Sequence, residues 1–216
     1  MGIVQNVLDR HGVEPQATLP RRCRLSVQSV TLKGEKEGTA DDRPFDRTWT
    51  FGPSLWAMLS DHNFRGKSSL LNIIQGGIRG DLPERIKPDV WRWLSHIEIV
   101  FEVNGVAYRL LVEKPAGKTE PEQAIGSFSR EEGDTRLDLH AGPLGDPLER
   151  TVEDVLMAEL GFAKFHAFNK RGASHTHSWP AIASAPFVRG PGEAIFGEVP
   201  TDAMPLRLLQ MFMGLP

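Results

Sequence analysis

Cys23 is the only cysteine in 216 residues, so no internal disulfide can form and a disulfide-stapled secreted scaffold is excluded. Long apolar runs are missing too. Even residues 206–216 are shorter and more interrupted than the roughly 20 apolar residues that span a bilayer, so no membrane partner is expected. An excess of either charge sign is absent: 25 Lys and Arg against 28 Asp and Glu leave a net charge of -3. Bulk electrostatics therefore supplies no case for nucleic acid, and DNA as a partner would need local basic patches. Residues 1–10 mix polar and apolar side chains and lack the basic flank and apolar core of a secretory signal. Together with the lone thiol, this predicts a cytoplasmic protein. No internal repeat, low-complexity tract or heptad tract is found.

What is present is an ordinary globular composition, 40% apolar and 25% charged, in a chain long enough for one well-filled domain. Residues 1–21 hold one weak helical pattern followed by Gly12, Pro15 and Pro20, and read as an amino-terminal arm. Residues 22–32 alternate, with Cys23, Leu25 and Val27 on one side, as a half-buried strand would. Residues 49–51 suggest a second strand. Residues 54–60 form an unbroken apolar run suited to a strand buried on both faces of a mainly parallel sheet. After a polar stretch, Leu70, Leu71, Ile73, Ile74 and Ile78 recur at helical spacing over residues 68–78.

Further along, residues 96–103 and 106–112 flank Asn104-Gly105, the dipeptide that best supplies the two left-handed residues of a type I′ turn. A second hairpin is expected around Glu132-Gly133-Asp134. Thr151, Glu153 and Asp154 resemble a capping box, which predicts a helix over residues 151–160 stopped by Gly161. Residues 163–168 read as another buried strand, residues 169–178 as a polar loop, and residues 205–213 as an apolar helix that needs a partner.

The chemistry-bearing segment is residues 61–69. Gly66-Lys67-Ser68 lies between a buried-strand pattern and an amphipathic helix, the context in which such a motif binds phosphate. Backbone N–H groups and the positive end of the helix dipole would converge there. Lys67 adds a charge for the terminal phosphates, Ser68 a hydroxyl for Mg2+, and Ser69 further hydrogen bonding. The full pattern G-x-x-x-x-G-K-[ST] is met except that Asp61 stands in its first glycine position.

The stretch from Asp61 through Asn63, Gly66, Lys67, Ser68 and Ser69 to Leu71 resembles the G-x-N-x-x-G-K-S-S loop of SMC, RecF, RecN and SbcC ATPases. The resemblance implies an α/β fold, the amino-terminal lobe of a P-loop (ABC-type) head, with a mixed sheet, an antiparallel hairpin layer and flanking helices over residues 22–216. It implies ATP and Mg2+ as ligands. Asn63, Phe64, Arg65, Gly66, Lys67, Ser68 and Ser69 would contact nucleotide, and Ser68 and Asn169 the metal. Asn169 stands where the family has the glutamine of its Q-loop. No strand ending in Asp-Glu (Walker B) and no serine-glycine-glycine signature occurs, so the family's hydrolytic machinery would come from a carboxy-terminal lobe, in cis or in trans, beyond a coiled coil. No catalytic residue is assigned within the chain. A head-to-head dimer acting on DNA in repair, maintenance or defence is what the resemblance further implies.

Other readings carry less. Asn169-Lys170 begins a guanine-reading motif, but Gly172 occupies its aspartate position. His175 and His177 with His166 or Cys23 lack the fixed spacing of a structural zinc site. Arg79, Arg85 and Lys87 form a modest patch read as a solvated rim, and Trp91 and Trp93 read as packing residues. A non-catalytic partner-binding module with a degenerate loop is the alternative.

Overall fold

The computed structural model describes residues 24–38, 43–52, 66–115, 123–133, 135–168 and 171–184. Eight strands and five helices are found among them: β1 (Leu25–Glu35), β2 (Pro44–Thr50), α1 (Lys67–Arg79), α2 (Leu82–Arg85), α3 (Pro88–Trp93), β3 (Leu94–Val103), β4 (Val106–Glu113), β5 (Ile125–Glu132), β6 (Thr135–Pro143), α4 (Asp146–Leu160), β7 (Phe165–Phe168), β8 (Ser174–His177) and α5 (Trp179–Ser184). Six strands form one sheet in the order β2-β1-β3-β4-β5-β6, and β7 and β8 form a separate hairpin.

Every pairing in both sheets is antiparallel. This overturns the expected α/β P-loop fold with a mixed sheet. The physical reason lies in the connections: two residues join β3 to β4 and two join β5 to β6, and such short links impose antiparallel neighbours, whereas parallel strands need long crossovers. Residues 54–60, expected as the buried parallel strand, lie outside the described residues, as do the amino-terminal arm and residues 205–213.

The sheet buries one face. Along β3, Ile97, Ile99, Phe101 and Val103 are buried while the intervening residues are half-exposed, the period-2 pattern of a strand with one wet side. Phe101, Tyr108 and Phe128 stack across β3, β4 and β5 with centroids 5.6 to 6.1 Å apart. The Tyr108 hydroxyl donates to Glu159 Oε1 at 2.8 Å, which ties the sheet to the end of α4, and burial pushes its pKa up. Against this face lie Leu70, Ile73 and Ile78 of α1 and Leu148, Val152 and Leu156 of α4, all in one core. Glycines set the approach distance. A Cβ on Gly77 of α1 would overlap the Ile99 side chain, and one on Gly126 of β5 would sit 2.8 Å from Leu148 of α4.

The opposite face is laced with cross-strand ion pairs. Arg109 spans Glu98 at 2.5 Å and Glu131 at 3.2 Å, and Lys33 meets Asp46 at 2.9 Å. Pairs this exposed are worth only about 0.2–1 kcal/mol each, so the core decides stability.

The β3–β4 turn has Asn104 at φ 52° and Gly105 at φ 91°, the type I′ geometry the dipeptide predicts. Asn104 also accepts from the Arg24 N–H at 2.9 Å and donates to the Glu159 carbonyl at 2.8 Å. The β5–β6 hairpin falls where expected. Elsewhere the boundaries move. β2 is longer than residues 49–51 because β1 pairs with it from Ser29 to Glu35. α4 begins five residues before Thr151, because Gly145 precedes it and Pro147 sits in its first turn, a position where the missing N–H costs nothing. Thr151 is inside the helix, its hydroxyl bonded back to the Pro147 carbonyl at 2.9 Å. The described side chains of residues 163–166 are not those of a buried strand: Phe165 is half-buried, and Ala163, Lys164 and His166 are exposed. His175 and His177 lie on β8 rather than in a loop.

Candidate functional site

Residues 61–65, including Asn63, Phe64 and Arg65, lie outside the described residues, and so does Asn169. The structure does describe the end of the loop. Gly66 is the N-cap of α1 and adopts φ 83°, ψ 4°, a left-handed conformation that an L side chain adopts only with strain. Its carbonyl accepts from the Leu70 N–H at 3.0 Å, which closes the first helical turn. Among the described residues a Cβ at Gly66 would meet nothing within 4 Å. The left-handed turn is thus what requires glycine here.

Lys67 is the first helical residue and half-buried, Ser68 is exposed, and Ser69 is half-buried. Among the described residues no side chain caps the helix start, and no acidic residue lies in its first turn. The first N–H groups of an α-helix have no partner within it, and the dipole places positive potential among them, so the start of α1 favours an anion. Were a Mg2+-polyphosphate bound, Ser68 would offer its hydroxyl to the cation, and Lys67, Ser69 and the backbone would offer donors to phosphate. Magnesium, when bound, would neutralise phosphate charge. The described residues contain no group of three or more His, Cys, Asp and Glu side chains able to hold a metal, so the three histidines of β7 and β8 form no metal centre. His166 instead meets the Thr176 hydroxyl at 3.2 Å, and His177 stacks on Phe165 with centroids 5.4 Å apart.

α1 is held firmly at its far end. Gly80, at φ 88°, terminates it, its N–H reaching the Gly76 carbonyl at 2.8 Å. Here the expectation of a solvated basic rim holds for Lys87, which is exposed, and is corrected for the two arginines. The Arg79 and Arg85 side chains are 14% and 22% exposed, and both meet Asp81 Oδ2, at 2.8 and 3.2 Å. Arg79 also donates to the Pro180 carbonyl at 3.0 Å and to the Ser184 hydroxyl. Burial lowers the pKa of Arg79, against the pull of Asp81. Glu149 of α4 is shifted up by burial first and by Asp81 and Glu84 next. The sequence signal missed was the i, i+2 and i, i+4 placement of Asp81 between two arginines. Trp91 is buried, as expected of a packing residue, and the Trp93 indole donates to the Glu37 carbonyl at 3.0 Å.

A shallow groove of about 300 Å³ lies between α4 and the sheet, lined by Tyr108, Arg130, Leu139, Val155 and Glu159 among others, and holds no residue of the loop. No helix among the described residues is long and apolar enough to cross a membrane. No family model matches the chain, and no curated protein matches it.

Proposed function

We propose that the start of α1 binds the phosphates of ATP with Mg2+, and that the chain is the ATP-binding part of an ATPase of the SMC, RecF and SbcC kind. The observation that carries this reading is Gly66. It is a left-handed N-cap, and it delivers Lys67, Ser68 and Ser69 into the first turn of a 13-residue helix. The reading rests on the loop residues and that helix start, and takes nothing from the class of the sheet. Lys67 neutralises the terminal phosphates, Ser68 faces the cation, and the backbone N–H groups orient the β-phosphate. Asn63, Phe64 and Arg65 belong to the same loop by sequence, and Asn169 is the further residue proposed to meet the metal.

Phosphoryl transfer requires a metal and an attacking water to be positioned together. In this reading a carboxy-terminal lobe, in cis or in trans, supplies the Walker B carboxylates and the signature, and two heads close on nucleotide while acting on DNA. Asp61 favours a second reading, a partner-binding module that has lost nucleotide, because a carboxylate in place of the first glycine repels polyphosphate. Titration with a fluorescent ATP analogue, with circular dichroism alongside, separates the two. Saturable Mg2+-dependent binding that Lys67→Ala abolishes without loss of fold supports the ATP reading. Equal binding by the folded variant, or none by the parent, removes it.

A further inference from the structure

The two ends of α1 face different tasks, and the far end is bolted to an element later in the chain. The Trp179 side chain of α5 is 3% exposed, and its indole N–H donates to the Ile78 carbonyl at 2.7 Å. That carbonyl is among the last four of α1, which have no partner within the helix. Arg79, in the same turn, holds the Pro180 carbonyl and the Ser184 hydroxyl. α5 is thus fixed to α1 at its first and last residues. It follows β8 after a single residue, Ser178, whose hydroxyl donates to Glu153 of α4 at 3.0 Å. Glu153 also meets Lys164, which precedes β7, at 2.9 Å. The hairpin is therefore pinned at both of its feet to α4, and through α5 to the end of α1.

We propose that α5 is a clip that makes α1 and the β7–β8 hairpin open and close as one cooperative unit, so that phosphate bound at Gly66 regulates the order of the hairpin. Trp179 and Arg79 are the positioning residues. The inference rests on the phosphate-binding reading of the same helix. A helix of 13 residues spans about 20 Å and is fixed along its length by hydrogen bonds, so its two ends are not independent. A ligand that binds only the closed form stabilises whatever opens with its site. Linkage makes the effect reciprocal: loosening the clip weakens ATP by the factor by which ATP tightens the clip.

Hydrogen exchange of the whole chain, with and without ATP and Mg2+, tests the proposal. In the parent, ATP slows exchange several-fold in residues 66–79 and in residues 174–184 together, and leaves the edge strand β2 unchanged. Trp179→Phe keeps the apolar ring and removes the donor. It retains the slowing in residues 66–79, loses it in residues 174–184, and binds ATP several-fold more weakly. Arg79→Lys, which keeps the charge but loses the forked donor, gives the same readout if Trp179→Phe fails to fold. Slowing confined to residues 66–79 in the parent, or coupled slowing that survives both substitutions, overturns the clip and leaves the nucleotide reading intact. No slowing anywhere overturns both.

Discussion

Gly77 decides how closely the helix carrying the proposed phosphate site lies on the sheet, and Gly77→Ala measures that closeness. Two effects oppose each other. Alanine in a helix interior gains about 0.8–1 kcal/mol over glycine from propensity alone. Against it, the new methyl would overlap the Ile99 Cδ1 and approach Leu110 Cδ2 at 3.3 Å. Ile99 and Leu110 are both 0% exposed, so neither side chain has free space to move into. Overpacking of such a site costs about 1–3 kcal/mol, and the full burial of both neighbours places the cost at the upper end. The net loss is therefore about 1–2 kcal/mol, or roughly 2–8 °C in Tm for a chain of this size. Ile99→Val, which removes the overlapped carbon, costs about 0.5–1.5 kcal/mol in the parent but should be neutral or stabilising beside Gly77→Ala. Urea unfolding of the four proteins gives the coupling. A Gly77→Ala chain as stable as the parent, or strict additivity with Ile99→Val, would refute the close approach of α1 to β3.

Glu149→Gln should stabilise the chain at neutral pH. Burial and the Asp81 and Glu84 charges raise the Glu149 pKa, so the folded state binds its proton more tightly than the unfolded chain does. The penalty is present above the raised folded value and disappears below the unfolded one; urea midpoints of the two proteins should converge as pH falls through that window. His177 works oppositely. Burial and His175 lower its pKa, so stability held above the ordinary histidine value of 6.5 is lost as pH falls through the lowered one, and His177→Phe should remove that part of the acid sensitivity of residues 174–177 in hydrogen exchange. Asp61→Gly should bind ATP at least as well as the parent, since it removes a like charge from the loop. A large loss of affinity that depends on magnesium concentration would instead assign Asp61 to the metal shell.

Legibility followed the range of the forces involved. The β3–β4 turn was readable because Asn104-Gly105 meets a purely local demand, two successive left-handed residues. The α1 span was readable because the helical spacing of Leu70, Leu71, Ile73, Ile74 and Ile78 is a local pattern. What misled was the step from a local motif to a whole sheet. Gly66-Lys67-Ser68 describes a helix start, and nothing in those residues dictates that neighbouring strands run parallel. The two-residue links in β3–β4 and β5–β6 did carry that information and pointed to antiparallel pairing. The start of α4 was misplaced because Thr151 offers a plausible cap, while Pro147, four residues earlier, opens the helix directly after Gly145. The Arg79 cluster and the Trp179 bond join residues about 100 apart, and no periodicity records such a contact.

Everything proposed for this chain turns on phosphate binding by the first turn of α1. Backbone amide resonances of the labelled chain, followed during titration with ATP and Mg2+, test it most directly. Phosphate binding there gives saturable shifts centred on Gly66, Lys67, Ser68, Ser69 and Leu70, reproduced by pyrophosphate, absent with adenosine, and lost in Lys67→Ala. Shifts centred elsewhere, or an equal response to adenosine, would contradict it.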